Sequence, residues 1–288
     1  MKSKKIDVTA YFFLVPAGII YLSVIVFPVF YSLFISLFKW NGIGKMVFLG
    51  LNNYINLFKD RIFVKAMANN FIWVFLSLLL VMTVALGFAV MLNKQFRGRT
   101  FYRGLFYFPT VIAPVTVAII WGWIYNPSFG FINLLFDYLG IHYRQNWVAE
   151  GKVTLLAIFF ANLWRQVGQP MIYFLAGLQT VPVDVLEAAV IDGASNTKRF
   201  FRIVIPMMKE TFVIVIATLV FNALRVFDII NGLTAGGPNH ATEMMSIYMY
   251  NQTFRYNNVG YGSAISILMV VFMLIVIVPY IRFMADRD

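Results

Sequence analysis

Six long apolar stretches constrain this chain more than any other feature. They run over residues 10–38, 69–93, 104–126, 153–178, 210–231 and 260–281. A helix needs about 20 apolar residues to cross a bilayer, and each stretch is long enough. Backbone polar groups inside lipid must be satisfied within the segment, so the stretches are expected to be helices. An outer-membrane barrel would show short alternating segments instead. Composition agrees: 61% of the 288 residues are hydrophobic and only 12% are charged, against about 25% charged in soluble domains. A lipid-facing surface also accepts the abundant phenylalanine, 30 residues. The expected fold class is an all-α integral membrane protein, a single domain over residues 1–288 with six transmembrane helices.

The formal net charge is +11. In a soluble protein that would suggest nucleic acid. Here the basic residues fall between the apolar runs, which reads as membrane topology, and no nucleic-acid partner is expected. With a cytoplasmic N-terminus, the inner side holds Lys2, Lys4, Lys5, Lys94, Arg97, Arg99, Arg103, Lys198, Arg199, Arg202, Lys209, Arg282 and Arg287. The outer side holds Lys39, Lys45, Lys59, Arg61, Lys65, Arg144, Lys152 and Arg255, so the balance is 13 against 8. The positive-inside rule then places both termini in the cytoplasm of a multi-pass cell-membrane protein. The N-terminus resembles a signal peptide, but the uncharged run from Val8 to Phe38 is far longer than an h-region, so it is read as a retained anchor. The absence of cysteine excludes disulfides and thiolate metal sites. Prolines interrupt three stretches: Pro16 and Pro28, then Pro109 and Pro114, then Pro170. Each can kink its helix, either as a packing detail or as a break that lines a cavity.

The loop over residues 181–206 reads as two short helices between the fourth and fifth stretches. Pro182 suits a first turn, and Asp184 and Glu187 favour a helix N-terminal half. Gly193 can take the left-handed conformation that ends a helix, and Ser195 can cap the next one. On these residues alone, the first helix either docks on a partner or lies on the membrane surface.

The pattern Glu187-Ala188-Ala189, three residues, Gly193, nine residues, Ile203, one residue, Ile205-Pro206 resembles the EAA loop of binding-protein-dependent ABC importer permeases. The family usually has Leu where this chain has Ile205. Three further segments resemble the carbohydrate-uptake branch, of the maltose and glycerol-phosphate type. They are Phe48–Phe58, Arg97–Arg103, and Gly236-Gly-Pro-Asn-His-Ala-Thr242 followed by Tyr248, Tyr250 and Gly260–Ala264. The likeness covers nearly the whole chain.

The resemblance implies that this loop docks in a groove of a cytoplasmic ATPase. Ala188 and Ala189 would permit close approach, Glu187 and Asp192 would meet basic groups, and Gly193 would set the turn. It also implies a second homologous permease, two copies of the ATPase subunit, an external solute-binding protein, and a sugar or polyol as solute. ATP would be used by the partner and not bound by this chain. The sequence is consistent with that division: the nearest imitation of a phosphate-binding loop, Gly44-Lys45-Met46, ends in the wrong residue. His142 and His240 form no metal-ligand pair by spacing, and no nucleophile–base set is evident.

Polar residues inside spans are costly and often functional. The fourth stretch carries Asn162, Arg165, Gln166, Gln169 and Tyr173 on one helical face, and the fifth carries Asn222, Arg225 and Asp228. At about 1.5 Å per residue, Asn162 and Asn222 each lie roughly 14 Å below the outer surface. They can line one cavity near the midplane. Amides with neighbours such as Trp164 and Tyr173 suit a polyhydroxyl solute. Alternatively, Arg165, Arg225 and Asp228 form a structural ion-pair network. Two other function classes remain at this point: an ion-coupled secondary transporter, for which Asp228 is the only intramembrane carboxylate, and a membrane assembly factor without a pathway.

Overall fold

The structure, a computed structural model, describes residues 8–141 and 143–285. Lys2, Lys4, Lys5, Arg287 and His142, all named above, lie outside the described residues. The chain is mostly helical. Four helices are long and apolar enough to cross a membrane: Phe13–Ile35, Arg61–Asn93, Lys209–Leu233 and Val259–Pro279. Two bent pairs bring the number of possible spans to six. One is Arg99–Val111 with Pro114–Ile124, bent by 98°; the other is Gly168–Gln179 with Val183–Ile191, bent by 68°.

Several boundaries differ from the sequence reading. The second helix starts at Arg61, eight residues before 69, because its polar first turns face protein. Lys65 Nζ donates to Asn239 O at 3.0 Å, and Asn69 Nδ2 donates to Ala241 O at 3.0 Å and Glu243 O at 2.9 Å. The third stretch is not a kinked rod but two helices at nearly a right angle. The fourth stretch runs as Gly151–Gln166 and Gly168–Gln179, joined through Val167, whose N–H donates to Leu163 O and whose carbonyl accepts from Met171 N. Its bent continuation, Val183–Ile191, is the first helix of the 181–206 loop.

By compactness the chain forms two units, residues Met1–Asp60 with Tyr248–Val271, and Arg61–Ile247 with Phe272–Asp288. In the first unit the helix Phe13–Ile35 is apolar and exposed along its length, including Phe13, Ile19, Val24 and Phe30. Soluble monomers rarely expose such a surface; in a bilayer, lipid covers it. The loop that follows adds a small feature to an otherwise helical chain. Phe38–Lys39 and Val47–Phe48 pair as a short antiparallel ladder, Phe38 opposite Phe48. The turn between them needs positive φ, which Gly42 and Gly44 supply at 93° and 89°. Buried Asn53 holds the ladder to the helix end by donating to Ser36 O at 2.7 Å and Phe38 O at 3.0 Å.

The second unit holds a continuous apolar core that includes Trp73, Phe159, Phe174 and Leu219. Small residues set its closest approaches, as lipid-embedded helices require. A Cβ on Gly168 would lie 2.9 Å from Phe106 O and Tyr107 Cα, so those backbones touch at glycine. Four π-helical turns interrupt helices among the described residues: Leu22–Val26, Ser77–Val81, Phe200–Val204 and Asn251–Arg255.

The fifth stretch contains a break the sequence reading lacks. Its α-helix stops at Leu224 and restarts at Asp228. Broken helices leave carbonyls without their usual donors, and inside a membrane protein neighbours must supply them. Asn70 Nδ2 donates to Ala223 O at 3.1 Å, while Asn70 Oδ1 accepts from Met245 N at 2.8 Å. The Ser246 hydroxyl donates to Val226 O. Asn70 is fully buried. Asn70→Leu is therefore expected to lower stability by about 1–3 kcal/mol for each group left unpaired. A thermal melt of the purified protein in detergent checks this; a midpoint equal to that of the unaltered chain would contradict it.

Candidate functional site

A cavity of about 390 Å³ opens within the second unit. Three stretches of chain build it: the break of the third, the middle of the fourth, and the break of the fifth. Its wall includes Asn162, Arg165, Gln166 and Gln169 from the fourth stretch, and Asn222, Arg225 and Asp228 from the fifth. Seven of the eight polar residues named in these two stretches are thus brought together. The eighth, Tyr173, is not on the wall, but its hydroxyl accepts a hydrogen bond from Gln169 Nε2 at 2.8 Å. Thr110 and Pro114 also line the cavity and were not singled out as lining residues. The signal available was the proline break between them, since breaks in membrane helices are tolerated where they line a cavity.

Chemistry follows from how each polar group is already committed. Asn162 and Gln166, 6% and 9% exposed, sit one turn apart, with Asn162 Nδ2 donating to Gln166 Oε1 at 2.7 Å. That fixes both amides and leaves further donor and acceptor capacity. Arg165 and the third stretch clasp each other: Thr110 Oγ1 donates to Arg165 O at 2.8 Å, and Arg165 Nε donates to Ile112 O at 3.1 Å. Ile112 ends the helix Arg99–Val111, so the guanidinium serves a carbonyl at the bend itself. Arg225 lies over the Phe221 ring, 4.6 Å from its centre. Among the described residues the three charges do not pair as ions with one another. The wall therefore combines two guanidinium groups, one carboxylate and several amides with apolar faces from Phe227 and Ile229. It suits a solute that offers hydroxyls and flat apolar patches.

The loop over residues 181–206 lies elsewhere and has a different character. Val183–Ile191 is an exposed helix in which Ala189 is buried. It ends as the sequence suggests: Gly193 has φ +73°, Ala194 N donates to Ala189 O at 2.9 Å, and Gly193 N donates to Val190 O at 3.0 Å. This is the two-bond closure that a left-handed residue permits. Ser195 then accepts from Lys198 N at 3.3 Å and begins a second helical stretch, within which Ile203 and Pro206 fall. Among the described residues, nothing beyond the adjoining backbone stands within 4 Å of a Cβ added at Gly193, so this corner is open. Glu187 and Ala188 lie on the helix that it terminates, and Asp192 is that helix's C-cap.

Comparison with known proteins gives these features a family. Residues 82–285 match the family described as binding-protein-dependent transport system inner membrane component. The chain is 34% identical to the trehalose/maltose transport system permease protein MalF of Thermococcus litoralis, covering 94% of this chain and 92% of that one. It is 33% identical to the multiple sugar-binding transport system permease protein MsmF of Streptococcus mutans, covering 89% and 88%. It is 30% identical to the sn-glycerol-3-phosphate transport system permease protein UgpA of Brucella abortus, covering 96% and 94%. A bacterial ABC transporter involved in import of the acidic polysaccharide alginate has the same fold, with a TM-score of 0.84, 22% identity, and coverage of 97% and 96%. The chain belongs to the family of binding-protein-dependent transport system inner membrane components, and it is a multi-pass membrane permease.

Proposed function

We propose that this chain forms half of the transmembrane pathway of an ABC importer for a sugar or related polyol. The observation that carries the reading is the cavity built by two broken helices and one amide-lined helix, with Asn162, Gln166 and Asn222 on its wall. Relatives named for multiple sugars, trehalose/maltose and glycerol phosphate support the solute class. The whole chain acts as one permease domain of six spans with both termini in the cytoplasm. A second permease encloses the other half, and an external solute-binding protein delivers the solute to the outer loops. Two cytoplasmic ATPase subunits receive the 181–206 loops, through Glu187, Ala188, Ala189, Asp192 and Gly193, with Ile203 and Pro206 leading back to the membrane. Nucleotide and solute sites then influence one another through the two access states of the pathway.

The test is a gentle detergent pull-down of the tagged chain from its native membrane, with mass spectrometry of what co-purifies. An ATPase and a second permease are expected. Recovery of the chain alone, under conditions that preserve a known importer complex, overturns the reading. Solute uptake that ignores ATP but collapses with the ion gradient would move the function to an ion-coupled carrier with Asp228 at its centre.

A further inference from the structure

Two of the segments that resemble the carbohydrate branch, Phe48–Phe58 and the stretch from Tyr248 to Ala264, have no part in the pathway cavity. In the first unit they close around a second cavity of about 520 Å³. Its size lies within the range of small-molecule sites, about 300–1,000 Å³.

The walls are flat and polar. Trp40, Tyr248 and Tyr261 give aromatic surface, and Asn56, Gln252 and Asn258 give amides. The frame is rigid. The hydroxyls of Tyr248 and Tyr261 both donate to Asp60 Oδ2, the second at 3.3 Å. Burial, reinforced by that carboxylate, pushes the Tyr248 phenol above its usual range, so it stays a donor. Gly260 N donates to Trp40 O at 3.1 Å, fixing the backbone behind the indole. Gln252 Oε1 accepts from Asn258 Nδ2 at 3.1 Å.

Against this committed frame, two groups on the wall stand uncommitted among the described residues. The Trp40 indole Nε1 is buried without a hydrogen-bond partner. That N–H faces protein, so what the residue offers the cavity is its ring. The Asn56 side chain is exposed and makes no hydrogen bond among the described residues. Aromatic faces together with amides are chemistry that recognises a sugar ring: apolar C–H face on aromatic, hydroxyls on amide.

We infer that this cavity is a second saccharide-binding site, outside the pathway cavity and on the outer side of the permease. It rests on the sugar class and outward loop assignment proposed above.

The test labels the assembled importer with fluorotryptophan and follows the Trp40 resonance, assigned by Trp40→Phe, while glucose, maltose, trehalose and raffinose are titrated to millimolar levels. Trp73, buried in the other unit, serves as the fixed reference. At least one saccharide is expected to move Trp40 saturably and leave Trp73 still. Asn56→Leu is expected to weaken that response about tenfold, from the loss of one hydrogen bond. A Trp40 resonance that ignores all four saccharides, or moves only when binding protein is added without sugar, overturns the site. ATP-driven uptake of a radiolabelled saccharide by the same preparation, with Trp40 silent, removes this site and leaves the importer reading standing. No uptake across the panel with Trp40 silent removes both.

Discussion

Replacing Gly193 with glutamate is expected to abolish ATP-driven uptake while leaving the membrane helices folded. Gly193 holds φ +73° and closes the helix Val183–Ile191 through two backbone bonds. Holding an L-residue there costs about 1–2 kcal/mol, so the chain has reason to leave the helix in another direction. Among the described residues no neighbour lies within 4 Å of an added Cβ, so the backbone strain falls on this corner and not on the core. A third carboxylate also joins Glu187 and Asp192 on a surface proposed to meet the ATPase. Asparagine tolerates the left-handed region, so Gly193→Asn should retain most uptake. The check measures uptake in reconstituted vesicles, ATPase recovery in the pull-down, and helicity by circular dichroism. Normal transport by Gly193→Glu would sink the docking role, and equal loss in Gly193→Asn would show that more than backbone geometry is at work.

The second large effect is expected at Arg165. Its guanidinium resembles a solute contact, yet its Nε is spent on Ile112 O, at the 98° bend between Arg99–Val111 and Pro114–Ile124. A hydrogen bond from a charged group contributes about 1.5–3 kcal/mol, which is roughly ten- to a hundredfold in an equilibrium. Arg165→Met is therefore expected to lower uptake by roughly that factor, through a loosened bend. Lysine restores the charge but lacks the planar fork, so Arg165→Lys should recover little. Thr110→Val breaks the reciprocal bond to Arg165 O, and the double variant should lose less than the sum of the two single losses. Full activity in Arg165→Lys would assign the residue to the solute's charge instead of to the bend.

Much of this architecture was legible because lipid imposes simple rules. Apolar length marked the helices, and helical spacing put Asn162, Arg165, Gln166 and Gln169 on one face, where the structure has them on one cavity wall. Gly193 and Ser195 act as their residue types predict. The unread parts share a cause: they depend on partners distant in sequence. The break at 225–227 contains neither proline nor glycine; it exists because Asn70 and Ser246 take over its carbonyls. The early start of the second helix at Arg61 depends on Lys65 and Asn69 meeting carbonyls about 170 residues away along the chain. The ladder of Phe38–Lys39 with Val47–Phe48 is too short for any alternation to announce it.

The π turn at Ser77–Val81 bears on how relatives are to be aligned. On either side the buried stripe steps by three and four, through Phe63, Ala66, Asn70, Trp73 and Ser77 before the turn and through Val81, Ala85, Ala89 and Leu92 after it; the step from Ser77 to Val81 is the one that spans the turn. In a regular α-helix each step of four drifts about 40° around the axis, and the wider π turn absorbs one such step. A homologue with an uninterrupted helix here keeps both ends facing the same neighbours only by being one residue shorter. Its alignment gap therefore belongs inside 77–81, within the apolar run, and not in the flanking loops where gaps are usually placed.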